Sequence, residues 1–136
     1  MDKKITLNAT TDNLHKVLEF IEEYLDDAGC SMNAKMQVDM AAEEIFVNIA
    51  HYAYEDGKGD ATVCVSLSDN PNEITITFID SGIPYNPLDK ADPDISLPAE
   101  ERQIGGLGIF LTKKLMDGLT YAYENGQNIL TMKKGL

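Results

Sequence analysis

Apolar and polar residues alternate from Lys3 to Ala9, the period of a half-buried strand, and Thr10 or Thr11 follows where it can cap a helix. Leu14, Val17, Leu18, Ile21 and Leu25 then recur at helical spacing to about Ala28, and Gly29 supplies the stop. A second helix is expected from Ser31 or Asn33 to about Tyr54, with Val38, Ala41, Ala42, Ile45, Ile49 and Tyr52 on its apolar face. The Asp56-Gly57-Lys58-Gly59 stretch reads as a turn. After it, Ala61 to Leu67 and Glu73 to Ile79 read as a hairpin through Asp69-Asn70-Pro71-Asn72. Residues 81–103 hold four of the five prolines and little periodicity, and long irregular loops inside compact domains are often functional. A helix from about Leu107 to Met116 follows. Leu119 to Tyr123 and Ile129 to Lys133 then close the chain as a hairpin across Asn125-Gly126.

This β-α-α-β-β-loop-α-β-β order predicts an α+β two-layer sandwich, a mixed and mostly antiparallel sheet with helices on one face. It lacks the strict strand-helix alternation of a dinucleotide-binding fold. The 136 residues, 43% of them hydrophobic, suit one domain spanning 1–136. A net charge of -12 repels nucleic-acid phosphates and anionic membranes and favours a basic protein surface as partner. Cys30 and Cys64 stand far apart in unlike contexts and read as reduced thiols. No apolar run reaches the length of a membrane span, and the N-terminus opens into a strand without a signal-peptide core, so a cytoplasmic protein is expected.

Three segments could carry chemistry. In the second helix Gln37, Glu44, Asn48 and His51 fall on one edge beside the apolar face. A solvated helix edge would account for most of them, but Asn48 sits among Ile45, Val47, Ile49 and Ala50, where an amide has little other reason to be. A metal held through substrate phosphates takes one or two protein oxygens, and an amide oxygen would serve. Next, the apolar strand ending Phe78-Ile79 runs into Asp80-Ser81-Gly82-Ile83-Pro84. Alone this is a strand-ending turn; read functionally, the carboxylate accepts from the exocyclic amine of adenine while Gly82 lets the backbone approach the ring. Finally, Gly105-Gly106-Leu107-Gly108 enters a helix whose first N–H groups suit phosphate. This loop has neither the Lys-Ser/Thr of a Walker loop nor a preceding strand, so it meets neither the P-loop nor the Rossmann pattern.

Together, in this order, the three segments resemble the GHKL ATPase superfamily, with its Bergerat fold and histidine-kinase-like ATPase domain. Within it, Glu44-Ile45-Phe46-Val47-Asn48 with Ala53-Tyr54, Asp80-Ser81-Gly82-Ile83-Pro84-Tyr85-Asn86-Pro87, and Gly105-Gly106-Leu107-Gly108 leading to Leu115-Met116-Asp117 are similar to the anti-sigma-factor serine-protein kinases. The resemblance covers nearly the whole chain. It implies ATP and Mg2+ as cofactors, with Asn48 as the metal ligand, Asp80, Gly82 and Ile83 at the base, and Gly105, Gly106, Leu107 and Gly108 on the phosphates. Glu44, one turn before Asn48, would be the general base; Glu43 points about 100° away on an ideal helix. Residues about 88–104 would form an ATP lid carrying Arg102, the only arginine, toward the γ-phosphate, although a solvated charge accounts for Arg102 equally well. Tyr52 stands where the family carries a histidine, and the neighbouring His51 receives no role.

The function implied is an ATP-binding anti-sigma regulatory factor that phosphorylates an anti-sigma-factor antagonist on serine and in another state holds a sigma factor, and the resemblance also implies the family's homodimer. The alternative is a non-catalytic, nucleotide-gated binding module of the same fold. A detached sensor-kinase domain fits less well, because no phosphoacceptor helical hairpin is expected ahead of residue 3.

Overall fold

The computed structural model describes residues 2–69, 72–89 and 106–136. Strand β1 (Asp2–Asn8) leads through a 3-10 turn (Thr11–Asn13) into helix α1 (Leu14–Asp27) and then helix α2 (Met32–Tyr52). Strands β2 (Asp60–Asp69) and β3 (Asn72–Asp80), a 3-10 turn (Pro87–Asp89), helix α3 (Gly106–Leu115) and strands β4 (Gly118–Glu124) and β5 (Gln127–Gly135) complete the order expected from the sequence. The five strands pair as β1-β2-β3-β5-β4, and each of the four pairings is antiparallel.

The strand alternation sends Val63, Val65, Ile74, Ile76, Phe78, Leu130 and Met132 to the inner face, where they are buried. Val17, Ile21 and Leu25 of α1 and Val38, Ile45, Phe46 and Ile49 of α2 cover that face, so one core lies between sheet and helices. The opposite face is threonine-rich, with side-chain hydrogen bonds joining Thr6 to Thr62 and Thr77 to Thr131.

The helix ends show what local sequence decides. Ser31 caps α2, its Oγ accepting from Ala34 N at 3.1 Å. At α1 the expected threonine cap is replaced. Thr11–Asn13 form a 3-10 turn, the side chains of Thr10 and Asn13 make no capping bond, and Asn13 Nδ2 instead donates to Asn8 O at 2.9 Å. The amide thus ties the turn back to the strand it leaves. At its other end α1 closes with Gly29 N donating to Asp26 O and Cys30 N to Leu25 O, the paired bonds of a Schellman ending. Helix α2 stops at Tyr52 rather than at Tyr54, because Tyr54 has left the helical path to bond elsewhere. Asn125 and Gly126 hold positive φ angles of 53° and 75°, which closes the β4–β5 hairpin.

One buried carboxyl lies between α1 and α2. Asp39 Oδ1 is buried without a hydrogen-bond partner among the described residues, and its neighbours are Glu22, Asp26 and Lys35. Burial first, then a shared hydrogen bond and like charge from Glu22, push the Asp39 carboxyl up to about 7. Lys35 opposes this weakly, being itself bonded to Asp26 at 3.0 Å. Since the folded chain holds this proton at pH values where the unfolded chain has lost it, the contribution to stability is full in acid and disappears as pH rises through about 7. Asp39→Asn is therefore expected to raise the melting temperature at pH 8 by about 3 °C, allowing about 1 kcal/mol after solvent screening, and to leave it nearly unchanged at pH 4. Thermal melts of both proteins across pH 4–8 measure this, and equal gains at the two ends would contradict it.

Candidate functional site

The site forms where the inner end of β3 meets the C-terminal half of α2. Asp80, the last residue of β3, lies opposite Asn128 in the β3–β5 register and opposite Ala61 in the β2–β3 register. Only 5% of Asp80 is exposed, yet it is a carboxylate, and burial at that level requires donors. Two are present: Gly82 N and Asn128 Nδ2 both donate to Oδ1 at 2.9 Å. Oδ2 has no hydrogen-bond partner among the described residues, which leaves one carboxylate oxygen to accept from a ligand.

Asn128, 6% exposed, was missed by the sequence reading, which began the last strand at Ile129. Its Nδ2 also donates to Ile83 O at 2.8 Å, while its Oδ1 accepts from Tyr85 N at 3.1 Å and from the Tyr121 hydroxyl. Three of these four bonds hold residues 80–85 against β5, and the fourth ties Asn128 to Tyr121 of β4. The signal was available in the alternation. Leu130 and Met132 face inward, so extending the strand by two residues puts a polar side chain on the buried face.

The same loop is pinned from the helix side. Ile83 N donates to Ala53 O at 2.9 Å, and Ser81 N donates to the Tyr54 hydroxyl, which itself donates to Asp60 O at 2.6 Å. Partial burial raises the Tyr54 phenol above its ordinary value, so it remains a donor. A Cβ on Gly82 would lie 2.1 Å from Ala53 O, a backbone atom that cannot yield, so only glycine permits this approach.

Between these elements lies a mostly apolar cleft. Ile45, Ile49, Phe78, Ile83 and Leu130 give it apolar walls, and Asp80, Asn128 and Asn48 supply the polar points. Tyr52 and Tyr85 also line it, their ring centroids 6.4 Å apart, and His51 stands outside it, exposed and edge-on to Tyr52. A flat heterocycle with an amino edge fits this chemistry of apolar walls beside a buried carboxylate.

Asn48 and Glu44 are successive on one ridge of α2, and Asn48 Nδ2 donates to Glu44 Oε1 at 3.3 Å. That bond leaves the amide oxygen of Asn48 as an acceptor on the cleft side. Among the described residues no three His, Cys, Asp or Glu side chains converge on a metal position. Glu44 also packs against the start of α3, where a Cβ on Gly108 would lie 2.1 Å from its carboxylate. Gly106, Leu107 and Gly108 form the first turn of α3; Gly105, Arg102 and residues 90–104 of the expected lid lie outside the described residues.

A buried carboxylate and a helix amide on one apolar cleft, with a glycine-led helix nearby, point to a class of nucleotide-binding domain. The family model of the histidine kinase-like ATPase domain matches residues 7–134, and the chain belongs to that family. Its relatives narrow this further. BtrW of Bordetella bronchiseptica, a serine/threonine-protein kinase, is 24% identical over 132 residues, covering 97% of this chain and 89% of that protein. RsbW of Bacillus cereus, a serine-protein kinase, is 32% identical over 98 residues, which is 69% of this chain but 60% of RsbW. Two solved structures share the fold: the RsbU and RsbW domains of a Mycobacterium tuberculosis protein superpose with TM-score 0.69 at 19% identity, over 100% of this chain and 32% of that one. The SiaB-SiaC complex from Pseudomonas aeruginosa gives TM-score 0.61 at 16% identity, over 97% of this chain and 89% of the matched chain. Among the described residues no helix is long and apolar enough to cross a membrane.

Proposed function

We propose that this chain is a cytoplasmic ATP-dependent serine-protein kinase that phosphorylates an anti-sigma-factor antagonist. One observation carries the reading beyond nucleotide binding: a carboxylate, Glu44, stands beside the cleft with its orientation held by Asn48 and its space kept open by Gly108.

In this reading Asp80 accepts from the adenine amine through Oδ2, while Gly82 and Ile83 carry the backbone along the base. Asn48 would hold Mg2+ through its amide oxygen, and Gly105 with the first turn of α3 would take the phosphates, where N–H groups and the helix dipole favour negative charge. Bound with ATP, Mg2+ would supply charge neutralisation on the phosphate oxygens. Glu44 takes the proton of the serine hydroxyl as that oxygen bonds to the γ-phosphorus and the bond to the bridging oxygen of ADP breaks. Arg102, in a lid over 88–104, adds positive charge at the γ-phosphate. The names of the relatives support the substrate class, and SiaB-SiaC, solved as a complex, supports a protein partner. Holding a sigma factor in a second state and dimerising follow from the family likeness.

The direct test is to incubate the protein with Mg-ATP and purified antagonist and to look for a phosphoserine by mass spectrometry. Nucleotide-dependent binding without a phosphoserine would instead establish the gated, non-catalytic module.

A further inference from the structure

Asn128 lines the cleft, yet it has no donor left for a ligand. Its amide carries two N–H groups, and both are spent inside the protein, on Asp80 Oδ1 at 2.9 Å and on Ile83 O at 2.8 Å. The other donor beside Asp80, the backbone N–H of Gly82, is spent on the same Oδ1. The Asp80 edge of the cleft therefore presents acceptor oxygen alone.

The sense of the Asn128 amide is fixed by partners that cannot change theirs. Ile83 O can only accept and Tyr85 N can only donate, so the amide nitrogen must face the first and the amide oxygen the second. The Tyr121 hydroxyl adds a second bond to that oxygen. Turned end for end, the amide would set its oxygen against Ile83 O and Asp80, and its N–H groups against Tyr85 N. Asparagine is the side chain of this length with two donors at one end and two acceptor positions at the other; aspartate accepts at both ends and leucine bonds at neither.

Asp80 gains its orientation from this arrangement. A single donor on one oxygen would let the carboxylate turn. With a side-chain donor from β5 and a backbone donor from the loop meeting on Oδ1, its plane is set and Oδ2 is the oxygen a ligand meets. A purine with an exocyclic amine brings a donor to that oxygen. One with a carbonyl in the same place sets acceptor against acceptor and finds no spare N–H, and a polar group left unpaired in a site costs affinity.

We propose that Asn128 is a positioning residue that sets base selectivity: by spending both N–H groups on Asp80 and Ile83 it makes this edge of the cleft acceptor-only, admitting a 6-amino purine and rejecting a 6-oxo purine. This rests on the reading of Asp80 as the base-binding carboxylate and adds the residue that fixes its choice of base. Asn128 acts through Asp80, without a bond of its own to the base.

The full chain is titrated calorimetrically with Mg-ATP and with Mg-ITP, whose base carries the carbonyl. The ratio of the two affinities is the readout, because both ligands bring the same triphosphate. The parent is expected to favour ATP by about tenfold or more. Asn128→Asp keeps the shape but puts an acceptor where the NH2 stood, and it is expected to cut that ratio by about fivefold or more, mainly through lost ATP affinity. Tyr121→Phe removes one of the two bonds on Asn128 Oδ1, leaves that from Tyr85 N, and is expected to cut the ratio by about threefold. Melting curves verify folding, and if Asn128→Asp does not fold, Tyr121→Phe decides by the same ratio. A residue that only braced the loop would weaken both nucleotides alike, so a folded Asn128→Asp with the parent's ratio overturns the proposal. Equal affinities for ATP and ITP in the parent also overturn it, while nucleotide binding stands. If the parent binds neither, the nucleotide reading fails and takes the selectivity with it.

Discussion

Glu44→Gln is expected to lower phosphoryl transfer to serine by about 10²- to 10⁴-fold while changing ATP affinity by no more than about threefold, since it removes the base and little else. Glutamine keeps the length and planarity of the side chain, and its amide oxygen can still accept from Asn48 Nδ2 as Glu44 Oε1 does at 3.3 Å. The packing against Gly108 is likewise kept. What disappears is the capacity to take a proton. Single-turnover transfer with labelled ATP, read beside calorimetric titration of Mg-ATP, separates the two effects. Undiminished transfer would remove Glu44 as base.

Asp80→Asn is expected to weaken Mg-ATP binding by about ten- to hundredfold, equivalent to losing a hydrogen bond to a charged group of about 1.5–3 kcal/mol. The reason lies in the direction of each hydrogen bond. Oδ1 already accepts from Gly82 N and Asn128 Nδ2, so the substituted side chain must keep its one oxygen there. Its NH2 then takes the place of Oδ2 and presents a donor to the donor edge of adenine. The loop stays closed, because the two bonds that hold it are preserved. Loss of ATP binding with an unchanged melting temperature is therefore the expected pattern. Titration with a purine nucleotide bearing a carbonyl in place of the amine gives a second readout, because that edge accepts and should lose less on substitution. Equal ATP affinity in parent and variant would detach Asp80 from the base.

Both substitutions were available from the sequence, and the reason is local. Glu44 and Asn48 are one helical turn apart on a helix whose period is plain, and Asp80 is adjacent to Gly82, so the geometry follows from neighbours in the chain. The helices and strands were legible for the same cause, down to a start of α2 at Ser31 or Asn33, of which Ser31 is the cap, and Asn125-Gly126 as the closing turn. The alternation and the likeness to known kinases also led to the right fold class, with the sheet antiparallel throughout its described pairings.

What escaped the sequence reading depends on register and on contacts between distant segments. Asn128 is 48 residues from Asp80, and no periodicity announces that the two stand opposite each other. Tyr54, read as the end of the second helix and as part of a motif, joins the end of α2, the start of β2 and the 80–85 loop through one hydroxyl. The threonine cap expected at α1 failed because a 3-10 turn and the Asn13 side chain do the work of leaving β1. The partly buried carboxyl of Asp39 sat unremarked in an amphipathic pattern, since period alone does not say which polar edge a neighbouring helix covers.

Because one hydroxyl ties the 80–85 loop to Asp60 at the start of β2, Tyr54 acts from outside on a cleft that it does not line. A change there would be felt in the shape of the cleft with no contact to a bound ligand altered, so the pocket's stiffness and its chemistry are carried by different residues.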